Sequence, residues 1–208
     1  MSLSIKPTWI VFDVGGVLLD WYRSSAALAK YLGVSREQLL NTMFSHAPKM
    51  NIGVISPQEG WKIILEELGQ GTKYKPNDII RKWRDKRFWI PDTLALVRDL
   101  HDNNYRLATF TNSWLGLGDE PDRSLLPNEL QLFEHIVDSS IEGLRKPDMP
   151  FYDLFEKRTG ANGNDIYFID DADKNFPPAQ EKGWQTFLFV TEDSKGSVKK
   201  AREQLLGR

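Results

Sequence analysis

Three short apolar segments each end abruptly in polar residues, and this pattern constrains the fold more than any other feature of the chain. The segments are residues 9–12, 105–110 and 166–169. The polar residues that follow them are, in order, Asp13, Thr111 with Asn112, and Asp170 with Asp171. Short runs rich in β-branched and aromatic residues are typical of strands covered on both faces. Ligands of open parallel sheets bind beyond the carboxyl ends of the strands. We therefore predict that these polar residues share one site.

Helical patterns separate the later strands. Residues 92–103 carry Leu94, Val97 and Leu100 at helical spacing, and residues 151–159 show a similar pattern. Two further strands are predicted at residues 135–137 and 186–190. Alternating strands and helices imply parallel strands. The predicted fold class is therefore α/β, with a doubly wound parallel sheet.

Residues 20–90 interrupt this alternation with a helical segment. The helices predicted there span residues 24–32, 35–44, 56–68 and 77–88. Ser35 with Gln38, and Ser56 with Glu59, have the spacing of capping boxes. We predict an α/β core from residues 1–19 and 91–208, and a helical cap from residues 20–90. Because the cap leaves the core beside the predicted site, it is placed to act as a lid.

The composition excludes several function classes. The 208-residue chain has no cysteine, so disulfides, thiolate catalysis and cysteine zinc sites are absent. A net charge of −2 gives no electrostatic reason to expect nucleic acid or an anionic membrane as partner. No apolar run approaches the roughly 20 residues that span a bilayer, and the first residues lack a signal-peptide pattern. We expect a cytoplasmic protein that is a monomer or a homodimer.

A stretch rich in basic and aromatic residues offers a different function. Residues 81–89 read Arg-Lys-Trp-Arg-Asp-Lys-Arg-Phe-Trp, and such interleaving is found in proteins that bind single-stranded nucleic acid. The simpler interpretation is an amphipathic cap helix with a solvated basic face. The net charge favours this second interpretation, so no nucleic acid is expected as partner.

The predicted site gathers like charges that need compensation. Asp13 and the Asp170–Asp171 pair would repel one another at close range. A divalent cation resolves that repulsion, and a ligand set of oxygen atoms alone points to Mg²⁺. Lys146 follows the third predicted strand, residues 135–137, and its ammonium is available to bind a phosphoryl oxygen. The Thr111 hydroxyl is a further donor to such an oxygen. This set of groups suits phosphoryl transfer through an aspartyl-phosphate.

Four segments of the chain resemble, in order, the motifs of the haloacid dehalogenase-like (HAD) hydrolase superfamily. The segments are 12–18 (Phe-Asp-Val-Gly-Gly-Val-Leu), 111–113 (Thr-Asn-Ser), 145–148 (Arg-Lys-Pro-Asp) and 168–171 (Phe-Ile-Asp-Asp). Each motif alone is weak, but each lies at or after a predicted strand end. The similarity spans residues 9–190, and the helical insertion matches the cap that this family places between its first two motifs.

The resemblance implies a metal centre. Asp13 would be the nucleophile and a metal ligand, and Gly15 would offer its backbone carbonyl to the metal. Asp170 would bind Mg²⁺. Asp171 would be a further ligand or a hydrogen-bond acceptor behind the ligands.

The resemblance also implies a phosphate site. Thr111 would hold the phosphoryl group through its hydroxyl, and Asn112 mainly through its backbone. Lys146 would neutralise charge on both nucleophile and phosphate. The activity implied is Mg²⁺-dependent hydrolysis of a small phosphorylated molecule.

The first motif departs from that of many family phosphatases at one position. Those enzymes carry a second aspartate two residues after the nucleophile, as general acid and base, and here that position is Gly15. The favoured interpretation is the family branch resembling sugar-phosphate phosphatases with an Asp-x-Gly first motif. A 2-haloacid dehalogenase and a catalytically weak binding protein are the alternatives. Because dehalogenases of the family work without metal, the Asp170–Asp171 pair favours phosphate chemistry.

Several residues near the motifs receive a simpler interpretation. Asp173 and Asn175 are expected to form a turn after the fourth motif, with assistance to the metal site as the alternative. Trp21 and Arg23 are interpreted as surface residues at the cap entrance, with substrate contact as the alternative. The long loop of residues 115–128 is a candidate second lid or oligomer contact.

Overall fold

One parallel sheet of five strands forms the centre of the computed structural model, which describes residues 6–85, 87–114 and 127–207. The strands are β1 (Trp9–Phe12), β2 (Arg106–Thr111), β3 (His135–Asp138), β4 (Ile166–Asp170) and β5 (Gln185–Leu188). Their order across the sheet is β3-β2-β1-β4-β5, and every pairing is parallel. The predicted α/β fold class is confirmed, and β1 lies at the centre of the sheet.

Helices cover both faces of this sheet. The helices of the core are α5 (Pro91–Asp102), α6 (Ser139–Glu142), α7 (Met149–Thr159), α8 (Phe176–Glu181) and α9 (Ser194–Leu206). Ile10 and Phe12 point to the face covered by α5 and α9. Trp9 and Val11 point to the opposite face, against α7 and α8. The alternation along β1 therefore supplies two separate cores, as a doubly wound sheet requires.

Four helices between β1 and α5 pack around a third apolar cluster. They are α1 (Trp21–Leu32), α2 (Arg36–Asn51), α3 (Pro57–Glu67) and α4 (Pro76–Asp85). Their buried side chains include Leu28, Met43, Trp61 and Ile79. Ser35 and Ser56 both form the expected capping boxes. We propose that this helical layer is the cap predicted for residues 20–90.

The boundaries differ from the sequence-based expectation in a few places. Helix α2 runs to Asn51, past the predicted end at residue 44, although Pro48 lies inside it. Burial of Ala47, Met50 and Asn51 at its C-terminal end accounts for this extension. Helices α6, α8 and α9 were not predicted. Strand β5 ends at Leu188, two residues before the predicted end.

Two further expectations concern the long loop after the second motif and the absence of a membrane-spanning segment. The loop of residues 115–128, predicted as a second lid or an oligomer contact, lies outside the described residues over positions 115–126. Among the described residues, no helix combines the length and the apolar character needed to cross a membrane.

Candidate active site

The sheet places three of the predicted site residues side by side. Asp13 directly follows β1, and its backbone N–H donates to the Ile169 carbonyl of β4 at 2.8 Å. Thr111 is the last residue of β2 and Asp170 the last of β4, and these two strands flank β1. The carboxyl ends of neighbouring parallel strands lie at the same edge of a sheet. The three side chains therefore lie close together at that edge.

Asp13, Asp170 and Asp171 form one carboxylate cluster. One oxygen from each lies within 4.8 Å of the others. Asp13 Oδ1 accepts from the Val14 backbone N–H at 2.7 Å and lies 3.2 Å from the Lys146 ammonium. Asp13 Oδ2 accepts no hydrogen bond from the part of the chain that the structure describes. One oxygen of Asp13 is thus fixed in place while the other is available to a ligand.

Lys146 is a buried cation whose surroundings fix its position. Only 1% of its surface is exposed, and its ammonium donates to Asp170 Oδ2 at 2.6 Å. The ring centroids of Phe110 and Phe168 lie 5.5 and 5.2 Å from the same nitrogen. The Asn112 amide holds the Lys146 backbone by two hydrogen bonds, at 3.0 and 2.9 Å. The side chain of Asn112 therefore positions the lysine.

Asp170 is fully buried and is held by groups from the loop that follows it. Its Oδ1 accepts from the Ala172 backbone N–H at 2.8 Å. The Asn175 amide donates to both carboxylate oxygens, at 3.0 and 2.9 Å. With Lys146 added, each oxygen of Asp170 accepts two hydrogen bonds. A metal ion at Asp170 would have to replace one of them.

Asp171 connects the core to the predicted cap. The Trp21 side chain, at the start of α1, lies close enough to the Asp171 carboxylate to lower its pKa. The Asp171 carboxylate also fills the space beside Gly16, where an added Cβ would lie 2.0 Å from Oδ2. Gly16 has a φ of +81°, a conformation that favours glycine. The second glycine of the first motif thus allows this carboxylate to approach the loop after β1.

The electrostatics of the cluster show an excess of negative charge. Burial raises the pKa of Asp13 to about 7, since the charges of Asp170 and Asp171 add to burial and outweigh Lys146. Burial and the charge of Asp170 raise the pKa of Asp171 to about 6, against the lowering effect of Lys146 and Trp21. Burial lowers the pKa of Lys146, but Asp13 and Asp170 more than reverse this, so its pKa is raised. Lys146 therefore stays charged, but its single positive charge does not balance the three carboxylates of the cluster.

The donor set fits Mg²⁺. The three clustered carboxylates offer only oxygen ligands, which this ion prefers, and the backbone carbonyl of Gly15, a residue that lines the same cleft, is a further candidate. The raised pKa values of Asp13 and Asp171 show that a further cation is electrostatically favourable at this place. The cluster could therefore hold one ion, with Asp13, Gly15, Asp170 and Asp171 as candidate ligands.

A cleft of about 520 Å³ opens over the cluster. Asp13, Gly15, Thr111, Asn112 and Asp171 line its floor, whereas Lys146 and Asp170 lie behind this lining. The Thr111 hydroxyl has no hydrogen-bond partner among residues 6–85, 87–114 and 127–207. It is therefore available to a ligand bound in the cleft.

The structure thus brings together every residue predicted for the site, and it adds two. Asn175, assigned by its sequence context to a turn, donates to Asp170, and Trp21 lines the cleft together with Asp171 and lowers the pKa of that carboxylate. Arg23 instead lies over the ring of Phe88. The sequence offers a role at the site only as the alternative for these two residues, because a turn for Asn175 and a surface position for Trp21 are the simpler interpretations. The catalytic and ligand roles of the predicted residues stay predictions.

The family comparison agrees with this geometry. The profile of the haloacid dehalogenase-like hydrolase family matches residues 7–183. The chain belongs to this family of hydrolases.

Similar proteins include a phosphatase. The sesquiterpene phosphatase astK of Aspergillus oryzae is 26% identical over 178 residues, which cover 83% of this chain and 85% of astK.

Solved structures share the fold. The HAD family enzyme bt-2542 of Bacteroides thetaiotaomicron has a TM-score of 0.69 at 22% identity, over 92% of this chain and 98% of its own. The same enzyme in complex with magnesium and inorganic phosphate has a TM-score of 0.65 at 23% identity, over 88% and 93%. The defluorinating L-2-haloacid dehalogenase Rha0230 has a TM-score of 0.67 at 15% identity, over 91% and 83%. Because a phosphatase and a haloacid dehalogenase both occur among these similar proteins, the fold does not distinguish the two reactions, and the residues of the site must be used instead.

Proposed function

We propose that this hydrolase is a Mg²⁺-dependent phosphatase of small phosphomonoesters that acts through an aspartyl-phosphate. The observation that carries the proposal is the arrangement of Asp13. One carboxylate oxygen is held by Val14 and Lys146, and the other is available over the cleft. The similarity to astK and to a magnesium and phosphate complex supports the same chemistry.

The chain's own residues would divide the work of phosphoryl transfer. The free oxygen of Asp13 attacks phosphorus, a P–O bond forms, and the bond to the leaving alcohol breaks with its electron pair on oxygen. Thr111 donates its hydroxyl to a phosphoryl oxygen, and Lys146 offsets charge on Asp13 and the phosphoryl group. The side-chain amide of Asn112 keeps the lysine in place through two hydrogen bonds to the Lys146 backbone. Water then hydrolyses the aspartyl-phosphate and restores Asp13.

Mg²⁺, when bound by Asp13, Gly15, Asp170 and Asp171, would supply the remaining positive charge and polarise the phosphoryl oxygens. Arg87, Arg145 and Lys174 also line the cleft and favour entry of an anionic substrate.

The experiment that tests this function compares two reactions of the purified protein. Hydrolysis of p-nitrophenyl phosphate should require Mg²⁺ and stop in EDTA. Halide release from 2-haloacids should be absent with or without metal. Metal-independent halide release in place of phosphate release would establish the dehalogenase alternative, and neither reaction would leave the binding-protein alternative.

The glycine at position 15 leads to a prediction about leaving groups. No carboxylate occupies this position to protonate the departing oxygen, so wild type should hydrolyse aryl phosphates well and alkyl phosphates poorly. Among the described residues, a Cβ at Gly15 would meet only Trp21 Cδ1, at 4.0 Å, so neither backbone conformation nor crowding at the Cβ opposes a side chain here. We expect Gly15→Asp to raise kcat/KM for alkyl phosphates, relative to aryl phosphates, by about tenfold or more.

Matched variants make this prediction specific. Gly15→Asn has nearly the same shape without an acid, and it should leave the ratio of alkyl to aryl rates unchanged. An equal gain with asparagine would show that the effect is not proton donation. Equal wild-type rates on aryl and alkyl phosphates would contradict the premise that a general acid is missing.

A further inference from the structure

The wall of the cleft opposite the carboxylates is formed by the helical layer and is largely apolar. Of the nine residues from the range 20–90 that line the cleft, seven are apolar or aromatic, and Asn51 and Arg87 are the other two. Helix α2 provides most of the apolar surface. A sugar with many hydroxyl groups would lose hydrogen bonds to water when it binds against such a wall. The wall offers few hydrogen-bonding groups to replace those bonds.

Phe44 is a large apolar side chain of this wall that is exposed to solvent. It is 53% exposed, more than Tyr22 at 43% and Tyr31 at 40%, the other exposed aromatic side chains of the described cap residues. Its ring lies 5.8 Å from Trp21 in an edge-on arrangement, and both residues line the cleft. Since a large apolar side chain gains free energy when it leaves water, an apolar ligand group would bind favourably here.

Asn51 adds one polar feature to the same cleft. It is the last residue of α2, lines the cleft, and is only 6% exposed. Its Oδ1 is buried and has no hydrogen-bond partner among the described residues. An unpaired buried carbonyl oxygen is costly, and groups of this kind call for a specific explanation. Rotation of the side chain toward the cleft, which Asn51 lines, would let a hydrogen-bond donor on a ligand satisfy this oxygen.

From these two observations we infer that the cleft is a leaving-group subsite for the phosphomonoester of an apolar alcohol that carries one hydrogen-bond donor, with Asn51 Oδ1 as the acceptor. Phe44 and the apolar side chains beside it contact the apolar part of the alcohol, and Asn51 Oδ1 accepts a hydrogen bond from its donor group. The inference rests on the proposed phosphatase function and specifies its substrate class. It favours an apolar phosphomonoester over the sugar phosphate expected from the first motif.

Primary alkyl phosphates test this substrate class without changing the leaving group. The probes are octyl phosphate, ω-hydroxyalkyl phosphates of increasing chain length, and glucose 6-phosphate, all assayed for kcat/KM with Mg²⁺. The alkyl compounds should exceed glucose 6-phosphate by about tenfold or more. At one chain length, the hydroxylated compound should exceed its methyl-ended analogue by about tenfold, the effect of one hydrogen bond.

Variants assign the two preferences to their residues. Asn51→Leu should bring the ratio of hydroxylated to methyl-ended substrates close to one. Phe44→Ala, at an exposed position that tolerates truncation, should reduce the preference for alkyl over sugar phosphate. Tyr31→Ala removes a cap aromatic that is 40% exposed and does not line the cleft, and it should leave both ratios unchanged.

The outcomes separate the substrate class from the function. If p-nitrophenyl phosphate is hydrolysed but glucose 6-phosphate matches the alkyl phosphates, the substrate class is wrong and the phosphatase proposal stands. The same holds if Phe44→Ala and Asn51→Leu both leave the ratios unchanged. If no phosphomonoester is hydrolysed, both proposals fail together.

Discussion

Replacing Asp13 with asparagine is expected to abolish turnover of phosphomonoesters and to leave the fold intact. Asparagine keeps the size of the side chain and an oxygen that can accept from the Val14 N–H. It loses the nucleophilic carboxylate. Loss of a covalent nucleophile reduces kcat by about 10⁴- to 10⁶-fold, and we expect a reduction of this order in the hydrolysis of p-nitrophenyl phosphate. Asp173→Asn, an exposed carboxylate that does not line the cleft, should stay near wild type.

The same variant should change how stability depends on pH. Without metal, the pKa of Asp13 is about 7 in the folded protein, against 3.8 as its ordinary value. Between these two pH values the folded state holds a proton that the unfolded chain releases, so this group makes wild type less stable as pH rises. Asparagine does not titrate. In EDTA, the Tm of Asp13→Asn should therefore rise relative to wild type between about pH 4 and pH 7 and level off above that range.

These two measurements together distinguish lost chemistry from lost structure. An inactive variant with a cooperative unfolding transition and the expected pH trend supports the nucleophile assignment. Retained activity would contradict it. A Tm difference between variant and wild type that does not change with pH would contradict the electrostatic account of the cluster.

Replacing Lys146 with methionine should produce the largest loss of stability among single changes at the site. Methionine has similar length and can pack between Phe110 and Phe168, but it leaves Asp13 and Asp170 without their shared cation. Breaking a buried ion pair by removing one partner costs about 3–5 kcal/mol. We expect that loss in the free energy of unfolding, measured with urea in EDTA, and a fall in kcat of about 10²- to 10³-fold.

A surface lysine provides the control for this substitution. Lys199 is 78% exposed and faces Glu203 at 3.9 Å, so Lys199→Met should cost no more than about 0.5 kcal/mol. Mg²⁺ should raise the Tm of Lys146→Met more than that of wild type, because the added cation replaces missing positive charge. A stable Lys146→Met variant in EDTA, indifferent to Mg²⁺, would show that the cluster does not need this lysine.

The sequence predicts most of the site because the relevant features are local. Each strand is a short apolar run, and the residue that ends it, such as Asp13 or Asp170, is readable without knowing any partner. Parallel pairing then places these strand ends together. The order of the strands, with β1 at the centre, is seen only in the structure, because alternating strands and helices with right-handed crossovers allow several orders.

The features that the sequence does not predict depend on contacts between distant segments. Trp21 meets Asp171 only because the first cap helix begins beside the fourth strand end. Asn51 reaches the cleft only because α2 continues past Pro48, where local propensity predicts an end. Likewise, the pairing of the Asn112 side chain with Lys146 joins residues 34 positions apart. Helical periodicity cannot show which face of a cap helix meets a substrate.

The central claim, that Asp13 accepts the phosphoryl group, is tested most directly by trapping it. Wild type mixed with p-nitrophenyl phosphate and Mg²⁺ is quenched in acid during turnover, digested, and analysed by mass spectrometry. We predict one added phosphoryl group on the peptide that contains Asp13, and none on this peptide from Asp13→Asn or from wild type in EDTA. Steady hydrolysis with no phosphorylated peptide, or with the phosphoryl group on another residue, would contradict the account.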